Sequence, residues 1–389
     1  MLISGLVLWI AMGVTLDLTI GREQPSLVLR WWPGGVNATV ARAQALLAPD
    51  AARTTPMLDE ARTALRTVVL REPVNSAAVG TLAVLEEYRG ANDGARSLFR
   101  LSEALSRRNN LTQLWLIEDA VARNDVKEAI THYDRALRVS YNVHSTLLSV
   151  LVDASSDPAI RQALVPVLAQ KPLWGPAYVQ MLGEKGNNAD AISDALRLTR
   201  IDPNLPDKRP LAEIALRRMI ELGAGKAAVQ SVNRMEGHPG SVRTLQDGDF
   251  EATRGVLPFG WMLRDESSLR AYRDTVPTGT QGLRVEAVSG ASGWVAQQAL
   301  GLVAGQHVLK GIVGDISDDT GRPAIELRCG RSDTAPIARY ALPLARDEGQ
   351  AFRMTFDVPA TGCDTQWLYI VTAPAVDSNF WMDRLVIEP

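Results

Sequence analysis

The chain runs to 389 residues, more than one hydrophobic core usually serves, so two domains are expected. Its 41 Lys and Arg against 44 Asp and Glu leave a formal charge of -3, which removes the electrostatic reason to expect nucleic acid. From Thr244 onward there are 13 basic and 19 acidic residues, and before it 28 and 25, so neither half is a basic nucleic-acid binder.

Residues 1–20, MLISGLVLWIAMGVTLDLTI, are apolar from Met1 to Leu16, are broken by Asp17 and resume to Ile20. About twenty residues cross a bilayer, so the segment is just long enough, with Asp17 expected near an interface. A cleaved signal peptide carries a basic start and small residues at its cleavage site. Neither is seen, and an uncleaved transmembrane anchor is the expectation, with an apolar helix packed on the protein's own surface as the alternative. Arg22 and Arg30 follow the segment and no basic residue precedes it, which by the positive-inside rule points to a cytoplasmic body. Residues 21–36 read as a linker.

Residues 37–236 are rich in Ala, Leu and Arg with helical periodicity. Ala61, Ala95, Ala129 and Ala163 recur at 34-residue intervals, each followed four residues later by a bulky side chain: Leu65, Phe99, Tyr133 and Val167. In LWLIEDAVARNDVKEAITHYDRAL the pattern predicts helix, turn at Asn124–Asp125, then helix, with Ala129, Tyr133 and Ala136 on one face. Small alanines let paired helices approach while the aromatic fills the groove beside them. Pro73 and Pro203 each follow an alanine, Ala61 or Ala191, by 12 residues and end a second helix.

The 34-residue period resembles tetratricopeptide repeats (TPR), and the region is expected to form a TPR-like α-solenoid. The aromatic expected early in the first helix is mostly missing, and between Ala163 and Ala191 the step drops to 28, so shortened middle units are expected. Such arrays usually bind protein; a spacer superhelix is the alternative. The SRRNN stretch, 106–110, reads as a solvated turn.

After about Gly237 the chain changes to short apolar runs bounded by Gly, Pro, Asp and Thr: GLRVEAV, HVLKGIVGDI, AIELRC, ARYALPL, FRMTFDV, QWLYIVTA and FWMDRLVIE. Seven or eight such strands predict an antiparallel sandwich over 245–389. The opening LQDGDFE, the Gly260-Trp261 pair, GLRVE, VAQQALGLVAGQHVLKGIV and the closing FWMDRLVIE together resemble the galactose-binding-like jelly roll of carbohydrate-binding modules. The fold class is therefore a multidomain α plus β chain: membrane helix, α-solenoid and C-terminal jelly-roll β-sandwich.

That resemblance implies a structural calcium held by the glutamate of the opening motif and the aspartate of the closing strand, which match Glu251 and Asp383; both offer hard oxygen ligands. Ordinary surface carboxylates, or a pair bridged by Arg384, are the alternatives, and no other cofactor is expected. Sugar binding needs aromatic faces and polar groups converging on one surface. Trp294, Trp367, Tyr340 and Tyr369 are the candidate glycan contacts, with Tyr272 and Gln297 behind them, while Trp261 and Trp381 are expected to fill the sandwich.

Cys329 and Cys363 both fall in this module, beside strand ends, and a disulfide is expected, with a buried reduced pair as the alternative. A bridge implies an oxidising compartment, which overrules the charge argument and places the body in a periplasm beside a bacterial-type inner membrane. Catalytic patterns are missing. His132, His144, His238 and His307 show no metal-site spacing, no phosphate-cradling loop or nucleophile elbow occurs, and the acids of DISDD, 315–319, read as a polar loop. The expectation is a non-enzymatic, membrane-anchored scaffold that binds a protein partner through its repeats and polysaccharide through its sandwich, in surface-polysaccharide biosynthesis or export. The alternative is a carbohydrate-targeting subunit of a polysaccharide-modifying enzyme.

Overall fold

The computed structural model describes residues 2–48, 50–235, 244–252, 255–330 and 334–389. Gly237, His238 and the end of the expected repeat domain at 236 lie outside them. Compactness divides the chain into Met1–Leu147 and Leu148–Pro389, so the second unit carries the last helices together with the sandwich.

The first unit opens on α1, Leu2–Ile20, long and apolar enough to cross a membrane. Its outer surface is largely exposed, with Ile3, Leu8 and Leu18 more than 70 % accessible. One stripe is used internally: Trp9 meets Trp32 edge-on at 4.7 Å, and Gly13 lies so close to the Trp32 ring that a Cβ there would clash. Asp17 is buried, and its carboxylate accepts the backbone N–H groups of Asn37 (3.0 Å) and Ala38 (2.9 Å) at the start of α3, Val36–Leu46. Those donors are orphans of a helix N-terminus, and an anion is favoured there. The linker expected at 21–36 contains a short helix, α2, Pro25–Trp31.

After α4, Thr55–Arg71, come two helical hairpins of identical spacing. α5, Ser76–Tyr88, and α6, Asn92–Leu105, are repeated 34 residues on by α7, Asn110–Ala122, and α8, Val126–Val139. Asn75 and Asn109, also 34 apart, cap α5 and α7 by accepting the N–H of Ala78 and Thr112. Asn109 then donates to the Ser76 carbonyl at 2.9 Å, fastening one unit to the one before it. Arg62 and Arg96 repeat the same period and reach across to buried acids, Glu86 and Asp119.

The alanine lattice is realised at Ala95 and Ala129, each the fourth residue of its helix and buried, with Phe99 stacked on Trp115 at 4.1 Å. Tyr133 is half-buried, and burial pushes its hydroxyl pKa up. Ala61 sits midway along the longer α4 and is only half-buried against Leu65 and Val68. Ala163 is also half-buried; its neighbours Leu164 and Leu168 occupy the core positions of α10 instead. The lattice slips because the later helices are shorter. α9 (His144–Ala154), α10 (Pro158–Leu168), α11 (Gly175–Lys185) and α12 (Ala189–Thr199) have 11 residues each and recur after 31, not 34. α13, Arg209–Glu221, and α14, Gly225–Asn233, complete the helices.

Ten strands follow among the described residues, rather than seven or eight: β1 (Met262–Leu263), β2 (Leu269–Thr275), β3 (Gln281–Ala287), β4 (Gly293–Leu300), β5 (Gly305–Gly314), β6 (Ala324–Cys329), β7 (Pro336–Ala341), β8 (Gln350–Val358), β9 (Gln366–Thr372) and β10 (Ser378–Glu388). They form two five-stranded sheets, β1-β4-β9-β6-β7 and β2-β3-β10-β5-β8, with antiparallel pairing throughout. Leu283, Val285, Leu309, Leu327, Leu368, Ile370, Phe380 and Met382 fill the space between them.

The LQDGDFE stretch is the clasp of this sandwich. The buried Gln298 side chain on β4 accepts the Gln246 N–H and donates to the Gln246 carbonyl, at 2.8 and 3.0 Å. The Leu385 N–H of β10 donates to the Gly248 carbonyl at 2.8 Å. Asp247 adopts a left-handed φ of 51° and holds Arg273 at 2.7 Å, while its carbonyl accepts the Trp261 indole N–H. Phe250 is thereby delivered, fully buried, beside Trp261.

Cys329 and Cys363 are bridged, joining the end of β6 to the loop before β9. At a sequence separation of 34, the bridge contributes about 4 kcal/mol through the unfolded chain in the loop-entropy account. Replacing both cysteines with Ala is expected to lower chemical-denaturation stability of the sandwich by several kcal/mol, and full retention of the midpoint would contradict this.

Hydrogen bonding from Arg62 holds Glu86 below the usual carboxylate range, against the effect of burial. For Asp119 burial pushes upward, but the bonds from Arg96 and Arg123 outweigh it. Both folded-state values lie below the unfolded ones, so the stability they carry is present above the ordinary carboxylate pKa and is lost as pH falls through the lowered values. Helix melting followed from pH 7 to pH 2 is expected to show that loss, and Glu86→Gln with Asp119→Asn to flatten it.

Candidate functional site

The outer face of the β1-β4-β9-β6-β7 sheet, with α13 along one side, encloses a cleft of about 900 Å3 within the second unit. Its floor comes from strand alternation. Along β9, Leu368 and Ile370 point into the sandwich, which leaves Trp367, Tyr369 and Val371 on the cleft side. On β6, Ile325 and Leu327 face inward and Glu326 and Arg328 outward.

A bulge on β4 aligns the remaining wall. Trp294 pairs with Val371, Ala296 with Ile370 and Gln297 with Tyr369, so Val295 is the extra residue. Trp294 and Gln297 are three positions apart, and in a regular strand they would face opposite ways; the inserted residue returns both to the cleft. The registers then place Gln297, Tyr369, Glu326 and Arg339 side by side across β4, β9, β6 and β7. In the same way Trp367 lies beside Arg328.

Trp367 and Tyr369 stack with centroids 6.2 Å apart, and the Arg328 guanidinium covers the Tyr369 ring at 5.2 Å. Arg264 lies 5.0 Å over the half-buried Trp294. Buried Glu326 holds two guanidiniums, Arg328 through Nη2 at 2.6 Å and Arg339 through a short contact to Nη1. Trp367 and Thr372 line the cleft, and the indole Nε1 of one and the hydroxyl of the other are buried with no hydrogen-bond partner among the described residues. Unpaired donors in a half-closed aromatic site are costly unless a ligand or water supplies acceptors.

The position of α13 is set by contacts near its start and at the start of α14. Glu213 accepts the Leu257 N–H at 3.2 Å and Arg209 donates to the Gly255 carbonyl. Gly225, opening α14, lies directly against Thr365, and any Cβ there would collide with the threonine hydroxyl. These contacts present Arg217, Ile220 and Glu221 to the cleft. Arg218 is held by the Gly186 carbonyl at 2.7 Å and by Glu221 at 3.2 Å.

Of the expected glycan contacts, Trp294, Trp367 and Tyr369 share this cleft, joined by Gln297. Tyr340 does not: it pairs with Ile325 and packs toward Phe352 and the sandwich interior. Tyr272 is on the other sheet, with its hydroxyl on Glu286 at 2.7 Å. Trp261 fills the core as expected. Trp381 is fully buried but lies outside the sandwich, against Gly314 and Gly349, because Phe380 and Met382 take the inward positions of β10.

Glu251 and Asp383 do not fit a calcium site. Glu251 is exposed, whereas Asp383 is buried and its carboxylate already accepts Thr280 Oγ1 at 2.7 Å, Thr278 Oγ1 at 3.3 Å and the Arg384 N–H at 2.6 Å. Among the described residues no three His, Cys, Asp or Glu side chains gather at metal-binding distance. The tie between the opening motif and the closing strand is made instead by the Gly248–Leu385 backbone bond. His132 is buried against Gln113 and His307 bonds the Val303 carbonyl, while His238 lies outside the described residues. In DISDD, Asp318 accepts the Thr320 N–H and hydroxyl, as a polar loop does.

The arginines and Glu326 are absent from the expected contacts. Alternation in AIELRC puts Glu326 and Arg328 on one face and was a usable signal; Arg217, from a helix more than a hundred residues earlier, left none.

The C-terminal sandwich resembles carbohydrate-binding modules. Against a solved CBM4 structure the identity is 16 %, covering 37 % of this chain and 99 % of that one, with a TM-score of 0.30. Against the CBM22-1–GH10 modules of Clostridium thermocellum xylanase 10B complexed with xylohexaose it is 19 %, over 38 % of this chain and 28 % of that one, with a TM-score of 0.29. Against the family 11 carbohydrate-binding module of Clostridium thermocellum in complex with a mixed-linked tetrasaccharide it is 13 %, over 37 % and 94 %, with a TM-score of 0.27. No protein-family model and no curated protein matches the chain.

Glu326→Gln leaves two guanidiniums sharing a neutral amide. The expected cost is about 2 kcal/mol, below that of a fully buried pair because Arg339 is exposed. Urea denaturation of the variant checks it, and an unchanged midpoint would show that the triad contributes nothing to the sheet.

Proposed function

We propose that this chain is a membrane-anchored, glycan-binding scaffold of the cell envelope, acting by binding without turnover. The observation that carries the reading is the cleft floor: Trp367 and Tyr369 stacked side by side, with the more exposed Trp294 flanking them. Sugar C–H faces pack on aromatic rings while hydroxyls seek fixed donors and acceptors, and 900 Å3 is room for several sugar residues. The carbohydrate-binding modules it resembles include ones complexed with xylohexaose and with a mixed-linked tetrasaccharide.

In this reading α1 anchors the chain, and the disulfide favours a periplasmic body. The hairpins with exact 34-residue spacing form a TPR-like array that recruits a protein partner, and the pathway served is surface-polysaccharide biosynthesis or export.

Gel retardation of the full-length protein in detergent, through gels holding xylan, mixed-linked glucan, alginate or polygalacturonate, tests the binding. At least one polymer is expected to retard it, and Trp367→Ala to weaken that retention about tenfold or more. Trp294→Ala, at a half-exposed position that tolerates truncation, should act in the same direction. Retention by none, or retention indifferent to both variants, would contradict the reading; so would release of reducing ends.

A further inference from the structure

The charge lining the cleft runs against the charge of the module that contains it. The segment from Thr244 has six more acidic than basic residues, 19 against 13. Yet the cleft is lined by five arginines, 217, 218, 322, 328 and 339, against two glutamates, 221 and 326; with Arg322 paired to Asp319 at 3.1 Å beside the cleft, an excess of two positive charges remains.

The arrangement of these groups adds to the count. Glu326 is buried beneath both Arg328 and Arg339, so one negative charge holds two guanidiniums, and Arg339 remains exposed. Arg217, on α13, is exposed and makes no ion pair among the described residues. Guanidiniums in a half-closed site recognise carboxylates through paired N–H donors, and a neutral sugar polymer gives an unpaired Arg217 nothing to neutralise.

Resting on the glycan reading above, we propose that the cleft selects an acidic polysaccharide, one bearing carboxylates as uronic acids do. The sugar rings pack against Trp294 and Trp367, and the carboxylates meet Arg217 and Arg339.

The test compares retention of the full-length protein by polygalacturonate, alginate and hyaluronan, each against its carboxyl-reduced counterpart, with polyglutamate as an anion lacking sugar rings. At least one acidic polymer is expected to bind about tenfold or more tightly than its reduced form. Arg217→Gln, at an exposed position, is expected to lower that preference several-fold, and an unchanged preference would contradict the proposal. Polyglutamate is expected to bind far more weakly than the preferred glycan. If reduced or neutral polymers are held as well as acidic ones, the charge selection is wrong and the glycan reading stands. If polyglutamate binds as well as the glycans and Trp367→Ala has no effect, charge alone acts and the proposal fails. If no polymer is retained, the glycan reading itself fails.

Discussion

Strand β9 is constrained on both of its faces, and the sandwich is arranged around that fact. Its inward residues, Leu368 and Ile370, belong to the core, and its outward residues, Trp367 and Tyr369, are as well buried as core residues while forming the cleft floor. A central strand hydrogen-bonded on both edges to β4 and β6 has no freedom to shift register without moving one apolar set into the wrong environment. The positions of Gln297, Glu326, Arg328 and Arg339 follow from that register. A rigid floor of this kind would also limit the entropy lost in the proposed binding of a polymer, because the aromatic rings are already held by their neighbours.

The clasp formed by LQDGDFE explains why a run of helices gives way to a polar, glycine-containing segment at that point. Gly248 must approach the backbone of Leu385, where a Cβ would overlap the carbonyl, and Asp247 must adopt a left-handed conformation while binding Arg273. The sequence pattern marks the segment, and the resemblance implies a calcium between Glu251 and Asp383. The observed Gly248–Leu385 bond is made by backbone atoms, which carry no signature in the sequence. Asp383 illustrates the same point: two threonine hydroxyls and a backbone N–H satisfy it. Threonines a hundred residues earlier announce nothing in a linear reading.

Alternation made the strands legible, since most of the apolar runs coincide with observed strands to within two or three residues. The β4 bulge was hidden, because VAQQAL contains no residue that demands one, and it is what brings Trp294 and Gln297 to a common face. In the helices, periodicity identified the hairpins but overstated their uniformity. Ala95 and Ala129 occupy equivalent buried positions, whereas Ala163 is displaced by one residue from the core because the units beyond α8 are shorter. Alanine is common enough in helices that a fourth member of a spacing series can fall in step with no structural equivalence.

The central claim is that a glycan occupies the cleft floor, and the indole N–H of Trp367 reports on it directly. In 15N-correlated NMR spectra of the protein with labelled tryptophan, titration with an oligosaccharide of a retained polymer is expected to shift the Trp367 indole signal as the ligand settles on the cleft floor, with Trp261, in the core, and Trp381, buried on the other sheet, unmoved. A ligand that binds, shifts other signals and leaves the Trp367 indole where it was would place recognition elsewhere and contradict the account.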